Sequence, residues 1–202
     1  MFIKAIIWDF GGVIIRTEDP ASREQLIADL GVTRDYLSEL TFSGEAGTRA
    51  QLGEITQAEL WQHVRSELNL APSEYPDLMK RFFGGDVVDF ELVDYIRSLR
   101  SRYTTALLSN AWNDLRGIIT NRWNFADAFD VMVISGEEGV MKPDPRIYQI
   151  ALERSGVQPP EAVFIDDSIE NIEAARKIGM HGIHFQNPEQ ALVDLEKKLG
   201  HS

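Results

Sequence analysis

Ile6-Ile7-Trp8-Asp9-Phe10-Gly11-Gly12-Val13 carries a short apolar run straight into a carboxylate, with two glycines close behind. The run starts earlier, at Phe2, Ile3 and Ala5, and its unbroken apolar character suits a strand buried on both faces. Paired glycines let the backbone turn tightly and bring its N–H groups close to a ligand. Asp9 then stands at the carboxyl end of a central parallel strand, where open α/β sheets bind their ligands. Taken alone, the stretch also reads as a strand that ends in Asp before an ordinary turn, so the flanking sequence has to decide.

Beyond Ile15 the texture is helical for about 70 residues. Asp19-Pro20 reads as the cap and first turn of a helix that stops at Gly31, and Thr33 caps a second, shorter one. The stretch 42–47 holds two glycines and reads as a loop. Thr56-x-x-Glu59 is a capping box that opens a helix with Leu60, Val64 and Leu68 inward. Leu78, Met79, Phe82 and Phe83 close another helix at Gly84-Gly85. No strand pattern shows between 16 and 85. From Phe90 on, helices and strands alternate. Strands are expected at 103–108, 131–134, 162–165 and 182–185, with helices starting at Asn113 or Asp114, Asp144-Pro145, Ser168 and Asn187-Pro188. That alternation predicts an α/β fold, a doubly wound parallel sheet. The core is assigned to 1–15 and 86–202, with an all-helical cap, 16–85, inserted after the first strand and lying over the carboxyl edge of the sheet.

A length of 202 residues and an apolar share of 44% suit one large domain, or a core with a smaller insert. The absence of cysteine excludes disulfides and thiolate metal sites. A formal net charge of −12 argues against nucleic acid or an anionic membrane as the main partner. An anionic substrate then needs a local cation or a placed lysine. No leader or membrane-spanning pattern is visible, and the expectation is a cytoplasmic protein.

Four strand ends carry polar groups that can converge on one crevice: Asp9, Ser109-Asn110, the segment leading from Ser135 to Lys142, and Asp166-Asp167. Three carboxylates in one cleft raise one another's pKa, and a bound divalent cation removes the conflict. An oxygen-only ligand set suits Mg²⁺. Lys142 can offset the charge of a phosphate and the Ser109 hydroxyl can donate to it, while Asp9 is the candidate nucleophile. His63, His181, His184 and His201 form no ligand set.

Four motifs in this order make the chain resemble a haloacid dehalogenase superfamily hydrolase with a small helical cap. They are Ile6-Ile7-Trp8-Asp9, Leu107-Leu108-Ser109-Asn110, Met141-Lys142-Pro143-Asp144 through Tyr148, and Phe164-Ile165-Asp166-Asp167-Ser168 through Asn171. Gly11-Gly12-Val13 is similar to the branch that contains glucose-1-phosphate phosphatases. The resemblance implies Asp9 and Lys142 as catalytic residues and Phe10, Gly11, Ser109, Asn110 and Lys142 around the phosphoryl group. It implies Asp9, Gly11, Asp166 and Asp167 around Mg²⁺. The implied activity is Mg²⁺-dependent hydrolysis of a small phosphorylated metabolite, such as a sugar phosphate, through an aspartyl-phosphate. One position departs from the pattern: phosphatases of this superfamily carry a second Asp two residues after the nucleophile, and here that residue is Gly11. General acid–base help is worth about 10²–10⁴-fold, so two further readings stay open. One is a metal- and phosphate-binding regulatory module without chemistry; the other is a 2-haloacid dehalogenase. Glu45, in the cap, is the spare carboxylate nearest in kind. Asn171 is expected to brace the acidic loop, and Trp112 to pack or to line the cleft.

Overall fold

The structure, a computed structural model, describes residues 2–200. Its strands are β1 (Ala5–Trp8), β2 (Ile15–Thr17), β3 (Asp86–Val88), β4 (Thr104–Ser109), β5 (Val131–Ile134), β6 (Ala162–Asp166) and β7 (His181–His184). Five of them form a parallel sheet in the order β5-β4-β1-β6-β7. The apolar run around Ile6 is the middle strand of that sheet, which is why β1 is buried at every residue. Side chains alternate across it. Ile6 and Trp8 join Leu107 and Ile165 on one face, while Ala5 and Ile7 join Ala106, Leu108 and Phe164 on the other.

Each face is covered by two helices whose apolar stripes meet it. Phe90–Leu99 contributes Leu92, Val93 and Ile96 to the first face, and Pro188–Leu199 contributes Ala191 and Leu195. Pro145–Ser155 contributes Ile147, Tyr148 and Ala151 to the second, and Ile169–Lys177 contributes Ile172 and Ala175. The doubly wound α/β expectation is met. The register sets Trp8 beside Ile165, and the Asp9 amide donates to the Ile165 carbonyl at 2.9 Å. Asp9 and Asp166, the next residues on these two strands, therefore leave the sheet side by side.

Between β2 and β3 the chain is helical. Ala21–Leu30, Arg34–Ser38, Glu45–Gln51, Gln57–Glu67 and Tyr75–Phe82 pack around Leu26, Leu37, Leu60, Trp61, Leu78 and Phe82. The caps at Thr33 and Thr56 form as read. The Tyr36 amide donates to Thr33 Oγ1 at 3.1 Å, and the Thr56 amide donates to Glu59 Oε2 at 2.7 Å. At the first helix Pro20 takes the cap position and Asp19 accepts from the Ala21 amide instead.

Two readings of this region change. Arg16 and Thr17 lie in β2, which pairs antiparallel with β3 where the insert leaves and rejoins the core. Three-residue strands are too short to show a period in sequence. The stretch 42–47 is not a loop: Glu39–Ser43 is a wide helical turn that leads into the helix Glu45–Gln51. The path to Lys142 also opens with one helical turn, Ser135–Glu138.

Two features fix the insert over the sheet edge. Arg16 pairs with Asp89 at 2.7 Å, and Arg23 grips both oxygens of Asp86 at 2.8 and 2.9 Å. On the far side Gly53, at φ +71°, touches the Gly136 backbone so closely that a Cβ there would sit 2.1 Å from its carbonyl oxygen. Among the described residues no helix is long and apolar enough to cross a membrane.

Candidate active site

The charged centre lies at the carboxyl edge of the sheet. Lys142 Nζ stands between Asp9 Oδ1 and Asp166 Oδ2, 2.7 Å from each. Asp9 is 6% exposed, Lys142 3% and Asp166 fully buried. At that depth the ammonium has no water to replace either carboxylate, so the three groups hold one geometry.

Asp166 is satisfied on both oxygens. Its Oδ1 accepts from the Ser168 amide at 2.7 Å, and the Asn171 side chain donates to both oxygens at 3.1 Å. The expected brace at Asn171 is therefore present. Ser168 also caps the helix that follows, its Oγ accepting from the Asn171 amide. Asn110 spends its whole side chain on the backbone of Lys142. Its Nδ2 donates to the Lys142 carbonyl at 2.9 Å, and its Oδ1 accepts from the Lys142 amide at 2.8 Å. This pair ties the end of β4 to the lysine-bearing loop and sets where the ammonium points.

Burial pushes the Asp9 carboxyl up to about 7; the Lys142 ammonium opposes that shift and the Asp166 charge adds to it. Burial also works against the Lys142 charge, but the two carboxylates outweigh it and hold Lys142 above the usual lysine range. Lys142 is thus a fixed cation, and burial disfavours the Asp9 charge that Lys142 favours, so a second positive charge beside it would strengthen the carboxylate form. Burial likewise raises Asp167, with the Asp166 charge adding.

Asp9, Asp166 and Asp167 place carboxylate oxygens within 4.8 Å of one another. Three carboxylates against one ammonium leave two negative charges, which a divalent cation balances. The donors are all oxygen and Asp167 is exposed, so the set fits Mg²⁺, a hard cation that keeps several waters. Gly12 makes room for the Asp167 carboxylate. It sits at φ +74°, and a Cβ on it would fall 2.0 Å from Asp167 Oδ2. Gly11 differs, because a Cβ there would meet nothing within 4 Å.

Gly11, Ser109 and Asn110 also edge a cavity of about 900 Å³ between the sheet edge and the insert. Phe10 joins them with its ring, 5.6 Å from that of Trp123, while its backbone amide donates to the Asp9 carboxylate. Trp112 both lines this cavity and joins the apolar core of the insert. Glu45 does not face this cavity; it is exposed and lines a separate cleft with Arg49 and Glu59. The carboxylate that the sequence left unremarked is Asp114. Expected only as one of two possible helix starts, it is half-buried in the cavity wall, makes no capping bond, and is raised by desolvation.

Residues 3–179 match the haloacid dehalogenase-like hydrolase family. The chain belongs to that family. Among relatives of this HAD-like hydrolase, acyl-CoA dehydrogenase family member 10 of Mus musculus is 49% identical over 98% of the chain. The chain spans 19% of that protein's length. A sesquiterpene phosphatase of Aspergillus oryzae is 25% identical, covering 98% of the chain and 97% of the relative. Among solved structures, a HAD family enzyme from Bacteroides thetaiotaomicron in complex with magnesium and inorganic phosphate superposes with a TM-score of 0.76. It is 25% identical over 92% of this chain and 96% of that one.

Proposed function

We propose that this HAD-like hydrolase is a Mg²⁺-dependent phosphomonoester hydrolase that works through a phosphorylated Asp9. The observation that carries the reading is the Asp9–Lys142–Asp166 arrangement with Asp167 beside it, net negative by two charges. A phosphatase among the relatives, and a neighbour crystallised with magnesium and phosphate, support it.

In this reading Asp9, Asp167 and the Gly11 carbonyl hold Mg²⁺, with Asp166 alongside, and the residues from 16 to 85 act as a cap. The metal supplies positive charge against the phosphoryl oxygens and lowers the pKa of Asp9. Asp9 attacks phosphorus with the carboxylate oxygen not held by Lys142. Lys142 orients the nucleophile and neutralises charge on the transferring group, and the Ser109 hydroxyl donates to a phosphoryl oxygen. The Phe10 and Asn110 backbones flank the same group, and the Asn110 side chain positions Lys142. Asp166, already saturated by Lys142, Ser168 and Asn171, holds the lysine from behind.

A dehalogenase has no use for the surplus negative charge at Asp166-Asp167. The regulatory-module reading is favoured by Gly11, which carries no side chain to move a proton. A screen of phosphate esters with Mg²⁺ and with chelator, beside Asp9→Asn, separates the two. The phosphatase reading expects Mg²⁺-dependent phosphate release that Asp9→Asn lowers by about 10⁴-fold or more. Phosphate-ligand binding by calorimetry, with no turnover of any ester, selects the regulatory module.

A further inference from the structure

We propose that the leaving group this site accepts is a long apolar alcohol rather than a sugar; the proposal rests on the phosphatase reading and names its substrate class. The cavity beside Gly11 and Ser109, about 900 Å³, is at the upper end of what ligand pockets provide. Its wall is mainly carbon: Phe42, Met79 and Phe83 from the insert face Trp112, Leu115 and Trp123 from the core. Phe42 is 39% exposed although it is a large apolar side chain, and its ring stacks on Trp112 at 5.8 Å with 3° between the planes. An exposed aromatic ring at the edge of a cavity, here Phe42 backed by the buried Trp112, is a surface that an apolar ligand covers.

The polar groups in the same wall are largely engaged with protein. Arg16 is paired with Asp89, and Asp86 with Arg23. Thr17 donates to Asp86 at 2.6 Å, and Gln51 donates to the Phe42 carbonyl at 2.7 Å. Desolvation raises the Asp114 carboxyl above its ordinary range. The cationic side chains without such an engagement here, Lys80 and Arg122, are exposed and belong to the rim. A sugar in this space would bury hydroxyls against carbon, each at a cost that an alkyl chain avoids.

The chemistry balances with water as the only co-reactant. Asp9 forms a bond to phosphorus as the ester P–O bond breaks. The departing alkoxide takes a proton from water, and the hydroxide so formed attacks the phosphorylated Asp9 at phosphorus, releasing phosphate and the Asp9 carboxylate.

The test measures phosphate release with Mg²⁺ from butyl, hexyl and octyl phosphate beside glucose 1-phosphate and glucose 6-phosphate. Acetyl phosphate serves as a small substrate that needs no cavity. The expected result is kcat/KM rising about fourfold per methylene as the chain fills the cavity, with octyl phosphate well above both hexose phosphates. Phe42→Ser and Met79→Gln, each checked for native circular dichroism, are expected to flatten that rise. Acetyl phosphate turnover together with a flat series, or with hexose phosphates preferred, overturns this inference and leaves the phosphatase reading standing. Turnover of no ester overturns the phosphatase reading. Calorimetry of butyl- and octylphosphonate with Mg²⁺ then decides the apolar site by itself: tighter binding of the longer chain supports it, and equal binding overturns it.

Discussion

Across one cavity, two surfaces of opposite character face each other. On the sheet edge Lys142 and Asp166 have their charged atoms committed to fixed partners at hydrogen-bond distance. On the insert, Phe42, Met79 and Phe83 present carbon. In the proposed function, reaction and selection would be divided between these two surfaces. The edge can do one chemistry, because moving any charge strands another, whereas the insert can change its wall without touching that network.

The largest expected effect comes from breaking the edge. Lys142→Met leaves Asp9 and Asp166 buried beside each other without their cation, a loss of about 3–5 kcal/mol by denaturant titration in chelator. Mg²⁺ is expected to return part of it, since it neutralises the same carboxylates. A variant as stable as the parent in chelator would show that the ammonium is not what holds the edge together.

Gly11→Asp sharpens the contrast from the other side. Residue 11 has open space for a side chain, and a carboxyl there supplies the proton transfer that the site lacks. Turnover of esters with poor leaving groups is expected to rise by about 10²-fold or more, read as kcat with alkyl phosphates. Gly12→Ala does the reverse at the neighbouring residue. With φ at +74° and Asp167 in the way, it displaces Asp167, a ligand in the proposed metal site, and Mg²⁺ affinity is expected to fall about 10–100-fold, measured by calorimetry.

The smallest effect belongs to the joint between the two regions. Asp89 caps the helix Phe90–Leu99, accepting from the Leu92 amide at 2.8 Å, and pairs with Arg16. Burial would raise its carboxyl, but the Leu92 amide and the Arg16 guanidinium hold it below the usual range. A folded-state pKa below the unfolded one gives stability that is present above about pH 4 and lost as pH falls through the folded value. Asp89→Asn, which keeps a cap, is expected to cost about 1 kcal/mol at pH 7. That difference should shrink in melts run below pH 4.

The same division decides what could be read from sequence. Asp9, Ser109, Lys142 and Asp166-Asp167 stood out because phosphoryl chemistry needs those groups at strand ends, and buried strands are easy to see as apolar runs. Asn171 was legible as a brace from its place one turn into a helix. The roles of Asn110 and Asp114 were not, since the first depends on where the Lys142 backbone passes and the second on which wall a short helical turn faces. In the insert the caps at Thr33 and Thr56 gave helix starts, but not the turn at Glu39–Ser43, because Gly44 and Gly47 beside it suggested a loop. Nor did they show that Trp112, from the core, completes the insert's packing. Such packing leaves no fixed spacing in a sequence.

The most direct test of the central claim is to trap the covalent intermediate. Protein mixed with acetyl phosphate and Mg²⁺ is quenched in acid within one turnover, digested, and its peptides weighed by mass spectrometry. A phosphoryl group on Asp9 is expected, absent in chelator and absent in Asp9→Asn. Rapid phosphate release with an unmodified Asp9, or a phosphoryl group on another residue, would contradict it.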